Sequence, residues 1–483
     1  MRIVVIGAGV GGLAAGVRLA AQGHEVVVLE QAGSPGGKAG RLELDGWRFD
    51  TGPSLLTLPQ VFRDLFADTG TPLDEELELM PVEPVTRYRF ADGSTVDLSA
   101  DEDRSVEALE AWSPGAGTDW RRFLSTCARM WEGSQAFLSG LPPWPPRRPR
   151  VGERPPDPRD LLRVRPWQTL RGLARAHARD PRLQMLIERF ATYAGGEPRR
   201  APAALALSGY VEHAFGAWHV RGGLYAIVEA LARRLESLGG ELRLATPARG
   251  IELSGGRVTA VATDAAQLSC DLVVCDADAQ ALHDDLLPTP RGARGSERSL
   301  SGCALMLGLR GSTPELAHHT VLFPADYGAE FDDIFRARRP VRDPTIYVSA
   351  SCVTDSAEAP PGCENWFLLV NAPALGDGAD WDACEQLVLE HLAARWLDVR
   401  DRIEVRARRS PADLERETGA PGGAIYGAAP HGRLVSLRRP GNISRAARGL
   451  YLVGGTTHPG GGLPLVVLSA RIVADEIGRA SAA

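Results

Sequence analysis

Gly7, Gly9 and Gly12 follow the apolar, β-branched run Arg2 to Ile6 as a GxGxxG turn, and that spacing serves one chemistry, the seating of a diphosphate against bare backbone. Gly7 permits the turn, Gly9 lets the phosphates approach, and Gly12 lets the next helix pack on the strand. That helix turns its free N–H groups and positive dipole end toward the anion. Glu25 to Leu29 reads as the second strand, and Glu30 at its end accepts from a ribose 2′-OH. Its charge disfavours a 2′-phosphate there. A second glycine turn, Pro35 to Arg41, carries Gly37, Lys38 and Arg41, and Thr51, Gly52 and Pro53 follow a hairpin. A nicotinamide enzyme has no use for this segment. FAD, held extended with its ring far from the adenine, needs a second close backbone approach near ribitol and flavin. Lys38 is the only lysine in the chain, which singles it out for a charge role, although codon bias would leave the same trace.

The elements that position these residues come from both chain ends. Residues 449–468 read as strand, glycine turn and helix. A last strand returning beside the first would bring Gly454 and Gly455 to the phosphates, with Gly462 and Leu463 opening a helix at the flavin N1/C2=O edge. Arg221, Gly222, Gly223 and Leu224 open a helix, followed by strands in which Ala248 faces adenine. Leu55 to Leu65 has helical spacing. Residues 105–218 are helical, tryptophan-rich and broken by prolines, as expected of a cap over the flavin. Ser301 to Leu309, Thr345 to Ser351 and Trp366 to Val370 read as a second sheet flooring a substrate cavity. The expected fold class is α/β: a Rossmann-type FAD-binding domain with a parallel sheet (1–100, 220–298 and 440–483), interleaved with an α+β substrate domain (101–219 and 299–439).

Composition narrows the function further. Residues number 483, with 44% hydrophobic and 24% charged, which describes a globular chain. The net charge of −7 gives no reason to expect nucleic acid. No apolar run is long enough to span a bilayer, and the N-terminus is a strand and turn rather than a leader. Seven cysteines without a CxxC argue against a disulfide framework or a zinc site, so no metal is expected and the thiols read as reduced and cytosolic. Within 141–182, arginines outnumber acids and mix with Trp144, Trp167, Leu161, Leu162 and Leu170. That mixture suits a headgroup layer, each basic residue adding roughly 1 kcal/mol near an anionic leaflet. A solvated arginine-rich loop has the same composition.

Phe49 to Ser54 and Gly454 to Gly460, taken with the glycine turns, resemble the bacterial phytoene desaturase family, flavin enzymes that desaturate carotenoids. His318, His319, Thr320, Asp326, Tyr327, Tyr347, Val348, Asp355 and Ala359 to Cys363 extend the resemblance over nearly the whole chain. The terminal motif Gly454 to Gly462 is closer to the branch that makes 3,4-double bonds in hydroxylated carotenoids. The resemblance implies noncovalent FAD, attachment to the inner face of the cell membrane, and a hydrophobic tunnel ending at the flavin. It places cofactor contacts at Gly7, Gly9, Gly12, Glu30, Gly37, Lys38, Arg41, Gly52, Pro53, Ala248, Gly455, Gly462 and Leu463. Lys38 stands where an arginine is common, keeping charge but losing the planar fork.

A polyene has no acidic proton, so its dehydrogenation is best done by hydride transfer to flavin, after which a quinone or oxygen takes the electrons. Some group must take the second proton. His458, Tyr193, His213 and His219 are the candidates, and each also fits a structural hydrogen-bonding role. A tunnel open to lipid suits such a substrate, since exposing several hundred Å² of it to water costs on the order of 10 kcal/mol. Two other readings share the fold: a flavin oxidase of amines or a retinoid-type saturase, and a flavin-free binder of prenylated proteins like the GDP-dissociation inhibitors.

Overall fold

A computed structural model of the chain describes residues 1–140, 157–288, 297–432 and 439–480. Five parallel strands form one sheet in the order Leu450–Leu452, Leu272–Cys275, Arg2–Ile6, Glu25–Leu29, Glu241–Arg243. The central runs are almost wholly Val, Ile and Leu because both faces are covered. Alternate side chains divide between two cores. Ile3, Val5, Val26, Val28 and Val274 pack under the helices Val10–Ala21, Tyr225–Ser237 and Leu463–Ile477. Val4, Ile6, Val27, Leu29 and Val273 pack instead on the antiparallel layer Ala248–Ser254, Arg257–Thr263 and Gln267–Ser269.

The last strand does not lie beside the first. Leu272–Cys275 sits between them, paired in register with Ile3 to Ile6 on one edge and with Leu450 to Leu452 on the other. The inserted strand makes four ladder pairs with the first strand and three with the last. Gly454 still reaches the first turn, because a Cβ on Gly11 would press on Gly454 Cα at 3.0 Å.

A second, seven-stranded sheet runs Ile403–Arg409, Ser301–Arg310, Cys363–Ala372, Ile346–Ser349, His319–Leu322, Thr86–Arg89, Thr95–Leu98. One face buries Leu305, Leu307, Trp366 and Leu368 against the helix Trp381–Arg395. The other presents Gly302, Ala304, Tyr347, Phe367 and Leu369 to a cavity. Two strands from the first hundred residues, Thr86–Arg89 and Thr95–Leu98, extend this sheet rather than the parallel one. Helices Ala116–Ser139, Leu170–His177 and Pro181–Arg189 stand over it around Trp120, Phe123 and Phe190.

The helix expected from Leu55 begins at Pro59 and runs to Asp68. Leu58 is left-handed at its N-cap, and Leu56 is tied to Trp218 by two backbone hydrogen bonds of 2.9 Å. That bridge takes Leu56 out of the helix, which opens at Pro59 instead. Among the described residues no helix is long and apolar enough to cross a membrane.

Candidate active site

A cavity of about 1270 Å³ begins at the C-terminal ends of the parallel strands and runs out under the helices to the second sheet. That end of an open parallel sheet is where ligands bind, because helix N-termini and turn N–H groups converge there. Gly7, Gly9, Glu30, Gly37, Lys38 and Ala248 line it. Gly52, Pro53, Gly455, Gly462 and Leu463 line it too. Gly12 and Arg41 do not. Gly12 lies beneath the turn, where a Cβ would collide with the Gly7 carbonyl, so it fixes helix against strand. Arg41 pairs with Glu229 at 2.9 Å and lies over the Tyr225 ring at 4.9 Å. Glu30 accepts from the N–H groups of Ala8 (2.8 Å) and Ala32 (2.9 Å), which leaves lone pairs facing the cavity.

Asp276 occupies the hollow among these glycines. A Cβ on Gly9, Gly11 or Gly454 would strike its carboxyl oxygens. Burial pushes the group up to about 7, against a hydrogen bond from the Gly12 N–H and the Lys38 charge that pull it down. As an uncharged acid it fits beside a diphosphate, to which it can donate. The sequence offered a signal for it: Asp276 is the first residue past a parallel strand end. Lys38 reaches across the cavity to the carbonyls of Ile425 (2.6 Å) and Ala424 (3.1 Å). Burial lowers it to about 8, with Asp278 and Asp276 opposing.

The terminal turn is locked from below. Asn442 Nδ2 donates to the carbonyls of Leu452 (3.2 Å) and His458 (3.0 Å), and Arg439 donates to the Gly455 carbonyl at 2.9 Å. The glycine cradle, the helix N-terminus below it, the free lone pairs of Glu30 and a cavity long enough to leave the nucleotide half together fit FAD.

Beyond that half the wall is mostly apolar, with one charged group of note. Arg189, wholly enclosed, donates to Tyr193 Oη at 2.8 Å and lies 4.9 Å from that ring and 5.7 Å from the Tyr347 ring. Glu212 lies close by, pushed up to about 7 by burial with Arg189 pulling it down. Its oxygens have no well-aligned hydrogen-bond partner among the described residues. Neither residue was legible, because each sits on an ordinary-looking helix.

The side chains considered for the proton step are dispersed. Tyr193 lines the cavity. His458 does not: it lies under the terminal turn against the Phe137 ring (4.6 Å) and donates to the Gly140 carbonyl at 2.9 Å, with burial lowering it to about 4. His219 is buried and does not line the cavity, 2.8 Å from Glu358 Oε1. His213 bonds the Ser99 carbonyl at 2.8 Å.

With this geometry in place, comparison with known proteins is decisive. The flavin-containing amine oxidoreductase family model matches residues 10–478. The chain belongs to that family. It is an FAD-dependent oxidoreductase. Hydroxyneurosporene desaturase of Rubrivivax gelatinosus is 37% identical, the match covering 99% of this chain and 93% of that protein. 1-Hydroxycarotenoid 3,4-desaturase of a Flavobacterium species is 31% identical over 99% of both. 4,4′-Diapolycopene oxygenase of a Methylomonas species is 33% identical over 99% and 98%. Among solved structures, an oxidoreductase from Methanosarcina mazei aligns with a TM-score of 0.67 at 17% identity, covering 98% of this chain and all of that one. Putrescine oxidase bound to putrescine aligns at 0.65 and 15% over 99% of each. These two share the fold.

Proposed function

We propose that this member of the family desaturates a long acyclic carotenoid in carotenoid biosynthesis; relatives matching 99% of its length are named hydroxyneurosporene desaturase and 1-hydroxycarotenoid 3,4-desaturase. The observation that carries the reading is the cavity, continuous from the glycine cradle to a wall of aliphatic and aromatic side chains. FAD, when bound, accepts the hydride; the chain's own residues do the rest. The glycine turns hold the nucleotide, and the second sheet and helices align the polyene and exclude water. Gly7, Gly9, Glu30, Gly37, Lys38, Gly52, Pro53, Ala248, Gly455, Gly462 and Leu463 would contact FAD, with Gly12 and Arg41 supporting them. None of the seven cysteines lines the cavity, in keeping with noncovalent flavin. The expected two-domain division stands as part of the proposal, with the hairpin at 86–98 lending its strands to the substrate sheet.

The helix Pro158–Arg163 borders the cavity through Leu161, while Leu161, Leu162 and Trp167 are each about half exposed. Exposed apolar side chains at a cavity mouth fit docking on a membrane surface, so that the substrate passes from lipid to tunnel without crossing water. Trp144, Arg147, Arg148 and Arg150, expected to share that role, lie outside the described residues. The test is to supply acyclic carotenoids in liposomes without oxygen. A red shift in polyene absorbance with loss of the oxidised-flavin band is expected; flavin loss with an amine alone would overturn the reading. Leu162→Ser with Trp167→Ser should reduce vesicle flotation severalfold, and unchanged flotation would remove this helix from the membrane face.

A further inference from the structure

Desaturation removes a hydride and a proton from adjacent carbons, and the reading above leaves the proton without a destination. Resting on that reading, we propose that Tyr347 is the catalytic residue that takes this proton and that His319 behind it is the positioning residue that receives the phenol's own. Tyr347 and Ser54 both line the cavity, and Ser54 follows Gly52 and Pro53, two of the residues that would contact FAD. Tyr347 Oη lies 2.6 Å from Ser54 Oγ and 2.8 Å from His319 Nδ1. The strands Ile346–Ser349 and His319–Leu322 are antiparallel neighbours with His319 opposite Ser349, so Tyr347 and His319 are diagonal partners on one face.

The step balances. One carbon loses its hydrogen with the electron pair to oxidised FAD, the acceptor the established family chemistry supplies. The neighbouring C–H bond breaks, its electrons become the new π bond, and its proton joins Tyr347 Oη as the Tyr347 O–H proton passes to His319 Nδ1. The imidazole must therefore start neutral, and its setting keeps it so: burial and the charges of His219 and Arg189 lower it to about 3. A weak base suffices, because a polyene cation gives up a proton readily.

Tyr193, another cavity-lining phenol facing Arg189, is badly placed for this step. Its oxygen already accepts from Arg189 at 2.8 Å, which engages the lone pair a substrate proton would need, and the Glu212 carboxyl lies against the same hydroxyl. From His319 the path leads away from the cavity. The His318 ring is 4.3 Å from the His319 ring, and the His219 ring is 5.0 Å from that of His318. His318 Nδ1 meets Thr354 Oγ1 at 2.6 Å on a half-buried turn, and His219 ends on Glu358. His219 Nδ1, His318 Nε2 and His319 Nε2 are buried with no hydrogen-bond partner among the described residues. Orphaned ring nitrogens on three adjacent histidines are costly to keep for structure alone.

The test is an anaerobic single turnover of the FAD-loaded enzyme with the carotenoid in liposomes, following polyene absorbance. Tyr347→Phe, which keeps the ring, should slow product formation by roughly 100-fold with the bound-flavin ratio unchanged. It should also expose an isotope effect from deuterium on the proton-losing carbon. His319→Gln should lower kcat and leave KM unchanged. Wild-type product formation should slow in D₂O, a measurement that needs no variant. No solvent isotope effect in the wild type, or a Tyr347→Phe rate within twofold of it, would overturn the relay while leaving desaturation intact. A wild type that gives no red shift with any acyclic carotenoid would overturn both.

Discussion

The two halves of the cavity are built from different material. The nucleotide half is mostly backbone, with glycines packed so closely that a Cβ on Gly12 would strike the Gly7 carbonyl and one on Gly52 the Lys38 carbonyl. The substrate half is side chains on a mixed sheet and overlying helices, among them Phe367, Leu369, Tyr347 and Arg189. Backbone recognition is rigid and unforgiving, since a side chain can rotate away from an intruding atom and a turn cannot. Side-chain recognition lets one scaffold accept different substrates, which is how a putrescine oxidase and full-length carotenoid-acting relatives can share it.

The contrast can be broken in order of expected effect. Gly12→Val should be worst, because helix and strand must separate: destabilisation above about 3 kcal/mol and no retained flavin, read by thermal unfolding and the flavin-to-protein absorbance ratio. Next comes pH. Asp276 and Glu212 are each raised to about 7, one in either half. Between their unfolded values and about pH 7 the folded protein binds more protons than the unfolded chain, so stability falls as pH rises through that window. Asp276→Asn or Glu212→Gln in flavin-free protein should each remove on the order of 3 kcal/mol of that fall, measured by denaturant unfolding at pH 5 and pH 8. Only Asp276→Asn should also flatten the pH dependence of FAD affinity.

Lys38→Met should cost about 1–3 kcal/mol, since it leaves the Ala424 and Ile425 carbonyls unpaired. It should weaken FAD retention more than it changes carotenoid affinity; equal effects on both would blur the boundary between the halves. Smallest is Asp264→Asn, which breaks a solvent-exposed pair with Arg249 (2.8 Å) and should leave melting temperature and flavin content unchanged.

Legibility followed the same divide. Gly7 to Gly12, Glu30 and the Gly37–Lys38 turn could be read because local spacing encodes a turn that only small residues permit. The helix Leu463–Ile477 could be read from its glycine entry. The start at Pro59 was missed because the Leu56 pairing with Trp218 is long-range. The sheet that the hairpin 86–98 joins is not readable, since alternation says which face is buried and not which sheet receives the edge. Asp276 was overlooked although its place after a strand end marked it. Arg189, Glu212 and the Ser54–Tyr347–His319 contact carried no local mark of the contacts they make.

By itself, then, the sequence determined the glycine turns that meet at the end of the parallel sheet and the flavin they imply, because backbone conformation at a glycine turn is a local property. Tertiary structure alone decided the strand order, the burial that raises Asp276 and lowers His319, and which polar groups face the cavity. Those depend on desolvation and on contacts between residues up to hundreds of positions apart, and no window of sequence contains them.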